Sequence, residues 1–286
     1  MDSKYKQPKT LQAAIVHFSD PDNALAYMVR LRWPDGVITC PSCGRTDVVF
    51  LQNQRKWQCK SVHPKRQFSA KVNTVFEDSP IPLDKWLVAV WMLSNCKNGV
   101  SSYEIAKAIG VTQKSAWFMM HRIRVGMQDK KGFGAPTKLG GPENEVEVDE
   151  TFIGGKKRNM HADRALRYEQ KGGAQGKTIV QGILDRDKLH WRFVHEVVNK
   201  TESYVRGRVH VNGMENFWSL LKRGLNGTYV AVEPFHLFRY VDEQVFRYDN
   251  RDMNDAQRFE LALSQITGKR LTYAELTGKT GDATPF

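Results

Sequence analysis

Val146-Glu147-Val148-Asp149-Glu150-Thr151-Phe152-Ile153-Gly154-Gly155 alternates as a β-strand that ends on paired glycines and runs into the basic tract Lys156-Lys157-Arg158. Strands disfavour Asp, so Asp149 amid Val146, Val148, Phe152 and Ile153 is either a surface charge on an edge or a metal ligand. Just upstream, Gly132-Phe133-Gly134-Ala135-Pro136 and Gly140-Gly141-Pro142 have the density of breakers expected of a linker, which makes this strand the opening of a new domain. Downstream, Lys177 to Leu184 is a second strand candidate and Leu189 to Val194 a weaker third.

Further along stands His210-Val211-Asn212-Gly213-Met214-Glu215-Asn216-Phe217-Trp218-Ser219-Leu220-Leu221-Lys222-Arg223-Gly224. Asn212-Gly213 reads as an entry turn and Gly224 as an exit, with a short helix from Met214 to Arg223 between them. Lys222 follows Glu215 by nearly two turns, which puts the carboxylate and the ammonium on one face, while Phe217, Leu220 and Leu221 can face a core. A solvated helix face carries such a pair equally well. Phe235 to Arg251, with His236, Leu237, Tyr240, Val241, Val245 and Phe246 at helical spacing, is expected to pack on the sheet. A last helix is expected over Asp255 to Gln265, then an unstructured tail from Thr277 to Phe286.

In the N-terminal half, Cys40 and Cys43 form a Cys-x2-Cys pair, followed by strand formers and then by Cys59 and His63. Such knuckles present thiolate and imidazole ligands to one tetrahedral Zn²⁺, and the residues between them read as a hairpin, giving a zinc ribbon. A redox Cys-x-x-Cys would open a helix in a βαβ unit, which Pro41 and Gly44 do not resemble, and His63 before Pro64 could also be a surface imidazole. Arg55, Lys56, Lys60, Lys65, Arg66 and Lys71 crowd the same module and suit phosphates. After a helix expected over Leu83 to Leu93, Ser101 to Thr112 reads as a capped helix, a turn at Gly110 and a new cap. The second helix, Gln113 to about Arg124, completes a helix-turn-helix that would offer Gln113, Lys114, Ser115, His121 and Arg122 to DNA. A plain helical hairpin would share this turn chemistry.

Composition agrees with a polyanionic partner. Lys and Arg number 43 against 31 Asp and Glu, a net charge of +12 with a pI near 9.5. The longest apolar run, Trp86 to Leu93, is far below the roughly 20 residues of a membrane span, and Met1 to Asp20 has no uninterrupted apolar stretch, so neither membrane nor export is expected. Four cysteines, with Cys96 isolated, make no disulfide framework.

Taken in order, the cysteine module, the helix pair, Asp149-Glu150-Thr151-Phe152-Ile153-Gly154-Gly155 and the continuous stretch from His210 to Gly224 resemble the zinc-ribbon group of bacterial insertion-sequence DDE transposases, from about Asp20 to Arg251. The resemblance implies an α/β chain in which the zinc ribbon and helix-turn-helix precede a ribonuclease H-like mixed-sheet domain. In that domain an Asp on the first strand, an Asp ending a later strand and a Glu on a following helix hold two Mg²⁺ ions. By position, Asp149 is the first carboxylate, Glu215 the third, and Lys222 the basic residue that contacts DNA near the scissile phosphate. Two bridged metals activate the attacking oxygen and stabilise the leaving one, so one site can cleave a transposon end and join it to a target. Also implied are double-stranded DNA as partner (terminal inverted repeats and target), a homo-oligomer on DNA, and a nucleoid-associated place in the cytoplasm.

One departure stands out. The family's second Asp lies in a Thr-Asp-Glu or similar segment, and none is found here: after Asp185-Arg186-Asp187 the chain passes through Leu189 to Val194 directly to His195-Glu196-Val197-Val198-Asn199-Lys200. A helix and a strand are thus expected to be missing, with Asp185 or Asp187 as a weak fallback ligand and Glu196 and Glu202 outside the family context. The expectation is an internally deleted transposase with an incomplete sheet and impaired cleavage. The alternative is a non-catalytic zinc-ribbon and helix-turn-helix DNA-binding protein or regulator derived from one. A zinc hydrolase is disfavoured because four protein ligands leave no open position. The domains expected are a helical lead (1–35), the zinc ribbon (36–78), the helix-turn-helix region (79–130), a linker (131–143), the ribonuclease H-like domain (144–252) and a C-terminal helix and tail (253–286).

Overall fold

The structure is a computed structural model and describes residues 7–128, 146–154, 177–185, 212–230 and 232–278. The expected linker, the third strand candidate, Asp187, Glu196, Glu202 and the chain beyond residue 278 lie outside the described residues. The fold is of the α/β class, with helices accompanied by a three-stranded and a two-stranded sheet among the described residues. It divides into two compact units, one of Met1–Phe133 with Arg239–Phe286 and one of Gly134–Phe238.

The first unit opens with α1 (Leu11–Phe18), whose Thr10 hydroxyl accepts from the Ala13 amide, and α2 (Pro21–Arg32), capped by Asp20 with Pro21 in the first turn. β1 (Val48–Leu51), β2 (Lys56–Cys59) and β3 (Gln67–Phe68) follow as an antiparallel sheet. α3 (Leu83–Asn95) is the central helix, and it is apolar almost all round because Trp86, Leu87, Ala89, Val90, Trp91 and Leu93 are all buried.

α4 (Ser102–Ile109) starts with a complete capping box between Ser101 and Glu104 and ends on Gly110 at φ +62°, a backbone conformation that side chains disfavour. Thr112 then caps α5 (Gln113–Met127), which runs three residues past the expected Arg124. Lys85 on α3 donates to the Gly110 carbonyl at 3.0 Å and pins the turn from outside.

The C-terminal segment closes this unit. In α7 (Pro234–Asp249) Glu243 is fully buried and meets Arg124 of α5 at 2.7 Å and Arg247 one turn along, while Arg247 also donates to the Leu93 carbonyl. Buried charges cost several kcal/mol each unless paired, so the part of α7 from Arg239 on packs where its partners are, on α5 and α3. The expectation that this segment covers the sheet is corrected there. In α8 (Asp255–Ser264) Phe259 inserts among Trp91, Phe18 and Tyr27, with ring centroids 5.0, 5.8 and 5.8 Å away. The chain after it pairs with the loop before α3, the Val75 amide donating to the Ile266 carbonyl and the Gly268 amide to the Asn73 carbonyl. α9 (Tyr273–Leu276) follows with its own capping box.

In the second unit β4 (Val146–Ile153) pairs antiparallel with β5 (Thr178–Asp185), which puts Glu147 opposite Leu184, Asp149 opposite Gly182 and Thr151 opposite Val180. α6 (Asn212–Arg223) packs on this hairpin. It begins two residues before the expected Met214, and Gly224 does not end the winding, which continues as wider π-turns through Tyr229.

Candidate metal centres and nucleic-acid interface

The first site is built by two knuckles. Gly44, at φ +72°, lets its amide return to the Cys40 carbonyl at 2.8 Å, and the Cys40 amide donates to the Arg45 carbonyl at 2.8 Å. Across the sheet the Cys59 amide donates to the Arg66 carbonyl at 2.9 Å, with Lys65 in the left-handed region at φ +58°. The two turns bring one ligand atom each from Cys40, Cys43, Cys59 and His63 within 4.8 Å of one another. Cys40 Sγ lies 3.5 Å from His63 Nε2 and Cys43 Sγ 3.6 Å from Cys59 Sγ. Tetrahedral Zn²⁺ bonds of about 2.0 to 2.3 Å require edges of roughly 3.3 to 3.8 Å, which these two pairs meet, and the remaining edges, up to 4.8 Å, would have to draw in on the ion. His63 Nδ1 sits 2.7 Å from the Pro64 carbonyl, to which it can donate, leaving Nε2 for the metal. Burial pushes the Cys59 thiol up, but hydrogen bonds from His63, Ser61 and Cys43 prevail and bring it down to about 6, toward the thiolate that zinc requires. Trp57 lies on β2, with Trp33 at 5.6 Å edge-on and Phe68 stacked at 5.9 Å.

Around this cluster Arg55, Lys56, Lys60, Lys65 and Arg66 are exposed. Arg55 pairs with Asp22 and Lys60 with Asp47, whereas Lys71 turns inward to the Ser79 and Ile81 carbonyls and is not part of the basic surface. On α5 Lys114 is exposed, its ammonium 5.4 Å from the Tyr273 ring. Gln113 is partly engaged, donating to Ser102 Oγ at 2.8 Å, and Ser115 lies against the Thr112 cap. Arg122 differs from the expectation. It is 4% exposed, donates to the Glu77 carbonyl and lies over the Trp86 and Phe118 rings, and burial brings its pKa down to about 10. Its guanidinium belongs to the fold and is unavailable to DNA, because the second half of α5 is enclosed, as the burial of His121, Ile123 and Arg124 also shows.

In the second unit Glu147, Asp149 and Thr151 share one face of β4 by the two-residue period of a strand. Glu147 and Thr151 are each 3% exposed, and Asp149 is part-buried between them. The opposite face carries Val148, Phe152, Ile179 and Ile183, all exposed. α6 covers the acidic face. Gly182 stands opposite Asp149, and a Cβ there would lie 2.3 Å from Met214 Cε and 2.8 Å from Trp218 Cζ2. Directly opposed residues point to the same face, so Asp149 is on the α6 side. Met214, Phe217, Trp218 and Leu221 form the buried stripe of α6, and Glu215 and Lys222 lie along its margin, part-buried and exposed respectively. The structure thus brings Asp149 and Glu215 to the same side of the hairpin, whereas Asp187 lies outside the described residues. Among the described residues, Cys40, Cys43, Cys59 and His63 form the only group of three or more metal-capable side chains.

The site residue overlooked in the sequence is Glu147, whose Oε2 accepts from the Met214 amide at 2.8 Å. Its signal was available, since an acid two positions from Asp149 on a strand must share its face.

Residues 19–61 match the transposase zinc-ribbon domain and residues 187–249 the ISXO2-like transposase domain. Two stretches of the chain are thus similar to transposase domains. A protein described as uncharacterized in transposable element ISH50 of Halobacterium salinarum is 28% identical over 199 residues. That similarity covers 66% of this chain and 63% of the relative, so the chain spans less than two thirds of the relative's length. No solved structure matches. The zinc-ribbon match takes in Cys40, Cys43 and Cys59 and ends two residues before His63. The second match takes in Glu215 and Lys222 and begins after β5, so Asp149 lies before it. Among the described residues no helix is long and apolar enough to cross a membrane.

Proposed function

We propose that this chain is an insertion-sequence transposase. It binds the terminal inverted repeats of double-stranded DNA through the zinc ribbon and the α4–α5 helix-turn-helix, and its ribonuclease H-like unit, built on β4 and α6, acts on the bound ends. The observation that carries the reading is the order of the two domain matches, zinc ribbon at 19–61 and ISXO2-like domain at 187–249, on a chain of net charge +12. The domain boundaries read from the sequence, assembly as a homo-oligomer on paired ends, and a nucleoid-associated place in the cytoplasm belong to the same proposal.

Asp149 and Glu215 are the side chains that would hold Mg²⁺, two ions being the family's number. When bound, that metal supplies Lewis-acid stabilisation of the phosphoryl transfer. Lys222, on the same margin of α6 as Glu215, would contact the DNA backbone and hold the strand against the site. His63 completes the structural zinc set with Cys40, Cys43 and Cys59.

The second Asp of the family has no counterpart in its expected context, so strand cleavage by this copy is impaired, and the same absence favours a second reading, a DNA-binding regulator derived from a transposase. Gel shift and nicking on one duplex carrying the flanking inverted repeat separate the two. A Mg²⁺-dependent nick, feeble in the wild type, abolished by Asp149→Asn and enhanced by a family-like insert after Asp187, supports the impaired transposase. Binding without any nicking selects the regulator, and failure to bind the repeat defeats both.

A further inference from the structure

We infer that Glu147, together with Gly182, is the seat that positions α6 against the strand bearing Asp149. The inference rests on the transposase reading for its consequence and on geometry for its substance. The first amides of any helix have no partner within the helix, and one left unsatisfied under cover costs about as much as a lost hydrogen bond. At α6 the Met214 amide finds its acceptor on another element, the Glu147 carboxylate at 2.8 Å. A carboxylate at this end of a helix also meets the positive pole of the helix dipole.

Glu147 is 3% exposed and sits one pleat from Asp149 on the same face. The neighbouring row explains how the helix comes close enough. Gly182, opposite Asp149, has no side chain, and the space a Cβ would need is taken by Met214 and by the rigid Trp218 ring. One residue attracts the helix end and the other admits the helix body. Because Glu215 follows Met214 directly, the Glu147 to Met214 bond sets the height of Glu215 along the Asp149 strand. Glu147 is therefore a positioning residue, acting through α6 and not on the metal or the DNA.

The experiment compares Glu147→Gln with Glu147→Ala in the full chain. Glutamine keeps an oxygen that can accept from the Met214 amide and loses only the charge, whereas alanine loses the acceptor. Amide hydrogen exchange over residues 212–223 reads the seat, and Mn²⁺ titration followed by electron paramagnetic resonance reads the Asp149 and Glu215 pair. Exchange over Thr151 to Ile153, the end of β4 away from Glu147, reports whether the unit stays folded. Protection of the α6 first turn should fall about tenfold or more in Glu147→Ala and be retained in Glu147→Gln, with Mn²⁺ affinity following protection. Unchanged protection in Glu147→Ala, or a Glu147→Gln that behaves like Glu147→Ala in both readouts, would overturn the inference. A wild type whose Mn²⁺ isotherm equals that of Asp149→Asn would sink the metal reading instead, and the exchange comparison would still decide the seat.

Discussion

Phe259→Ala should strongly destabilise the unit that holds α1 to α5, although it lies far along the chain in α8. Phe259 is fully buried and touches Trp91 of α3, Phe18 of α1 and Tyr27 of α2 through ring pairs at 5.0, 5.8 and 5.8 Å. Truncating a buried Phe to Ala removes its transfer energy and leaves a cavity, together about 3 to 5 kcal/mol. Three rigid rings on separate helices cannot all collapse into the space, which argues for the upper part of that range. Against a typical domain stability of about 5 to 15 kcal/mol this is a large fraction. With a urea slope of about 1 to 3 kcal/mol per molar, the midpoint falls by roughly 1 to 5 M. Tryptophan fluorescence is the assay, because five of the seven tryptophans precede residue 134 and Trp91 contacts the mutated ring. Val16→Ala, at a residue 69% exposed, is the control and should stay within about 0.5 kcal/mol of wild type. A Phe259→Ala midpoint indistinguishable from that control would refute the view that α8 completes the N-terminal core.

Four other substitutions separate structural from functional roles. Cys59→Ser removes a buried ligand of the Cys3His set and should lower bound zinc, measured by atomic absorption after dialysis, from one equivalent toward zero. Lys114→Ala should weaken DNA binding and reduce the slope of log K against log salt by about one, whereas Arg122→Ala should lower the melting temperature through about 2 kcal/mol of lost packing and hydrogen bonding. Asp242 is held by Gln128 at 2.7 Å, and burial raises its pKa to about 6. An acid whose folded pKa lies above its unfolded value near 3.9 binds more protons when folded, so stability falls as pH rises from about 4 to about 6. Asp242→Asn keeps an acceptor for Gln128 and should remove that slope, adding on the order of 1 to 3 kcal/mol above pH 6 in denaturant melts. A wild-type melt that is flat over this window would contradict the assignment.

Local chemistry made the first unit legible where it is decided within a few residues. The caps at Ser101 and Thr112 and the turn at Gly110 follow from side-chain to backbone hydrogen bonds and glycine conformation, and they, like the start of α3 at Leu83 after Pro82, stand where the sequence put them. The knuckles were legible for the same reason, with the ligands in or beside short turns. What lay hidden was the return of the chain. Nothing local in Phe259 or Glu243 says that each meets residues more than a hundred positions away. Arg122 was misread by the same blindness: on an isolated α5 it would be a surface cation, and only the approach of Trp86 and the Glu77 carbonyl encloses it.

The β4 hairpin inverts the usual rule for a strand with one covered face. Alternation would bury Val146, Val148 and Phe152 and leave Glu147, Asp149 and Thr151 to solvent, yet α6 lies over the acids, with Val148 and Phe152 exposed. A sheet can cover carboxylates only if the covering element brings donors. A helix end does so without spending any side chain, because its first amides are unpaired and its dipole is positive there. The Met214 amide on Glu147 is that compensation, and the bare backbone of Gly182 lets the helix come close enough to make it. Asp149, on the same face, is part-buried and takes no amide of α6 among the described residues, so its carboxylate can accept from a cation. An acidic face covered by a helix end, with one acid engaged and its neighbour part-buried, stabilises the fold less than an apolar face would, a cost that the metal-holding role proposed for Asp149 would explain.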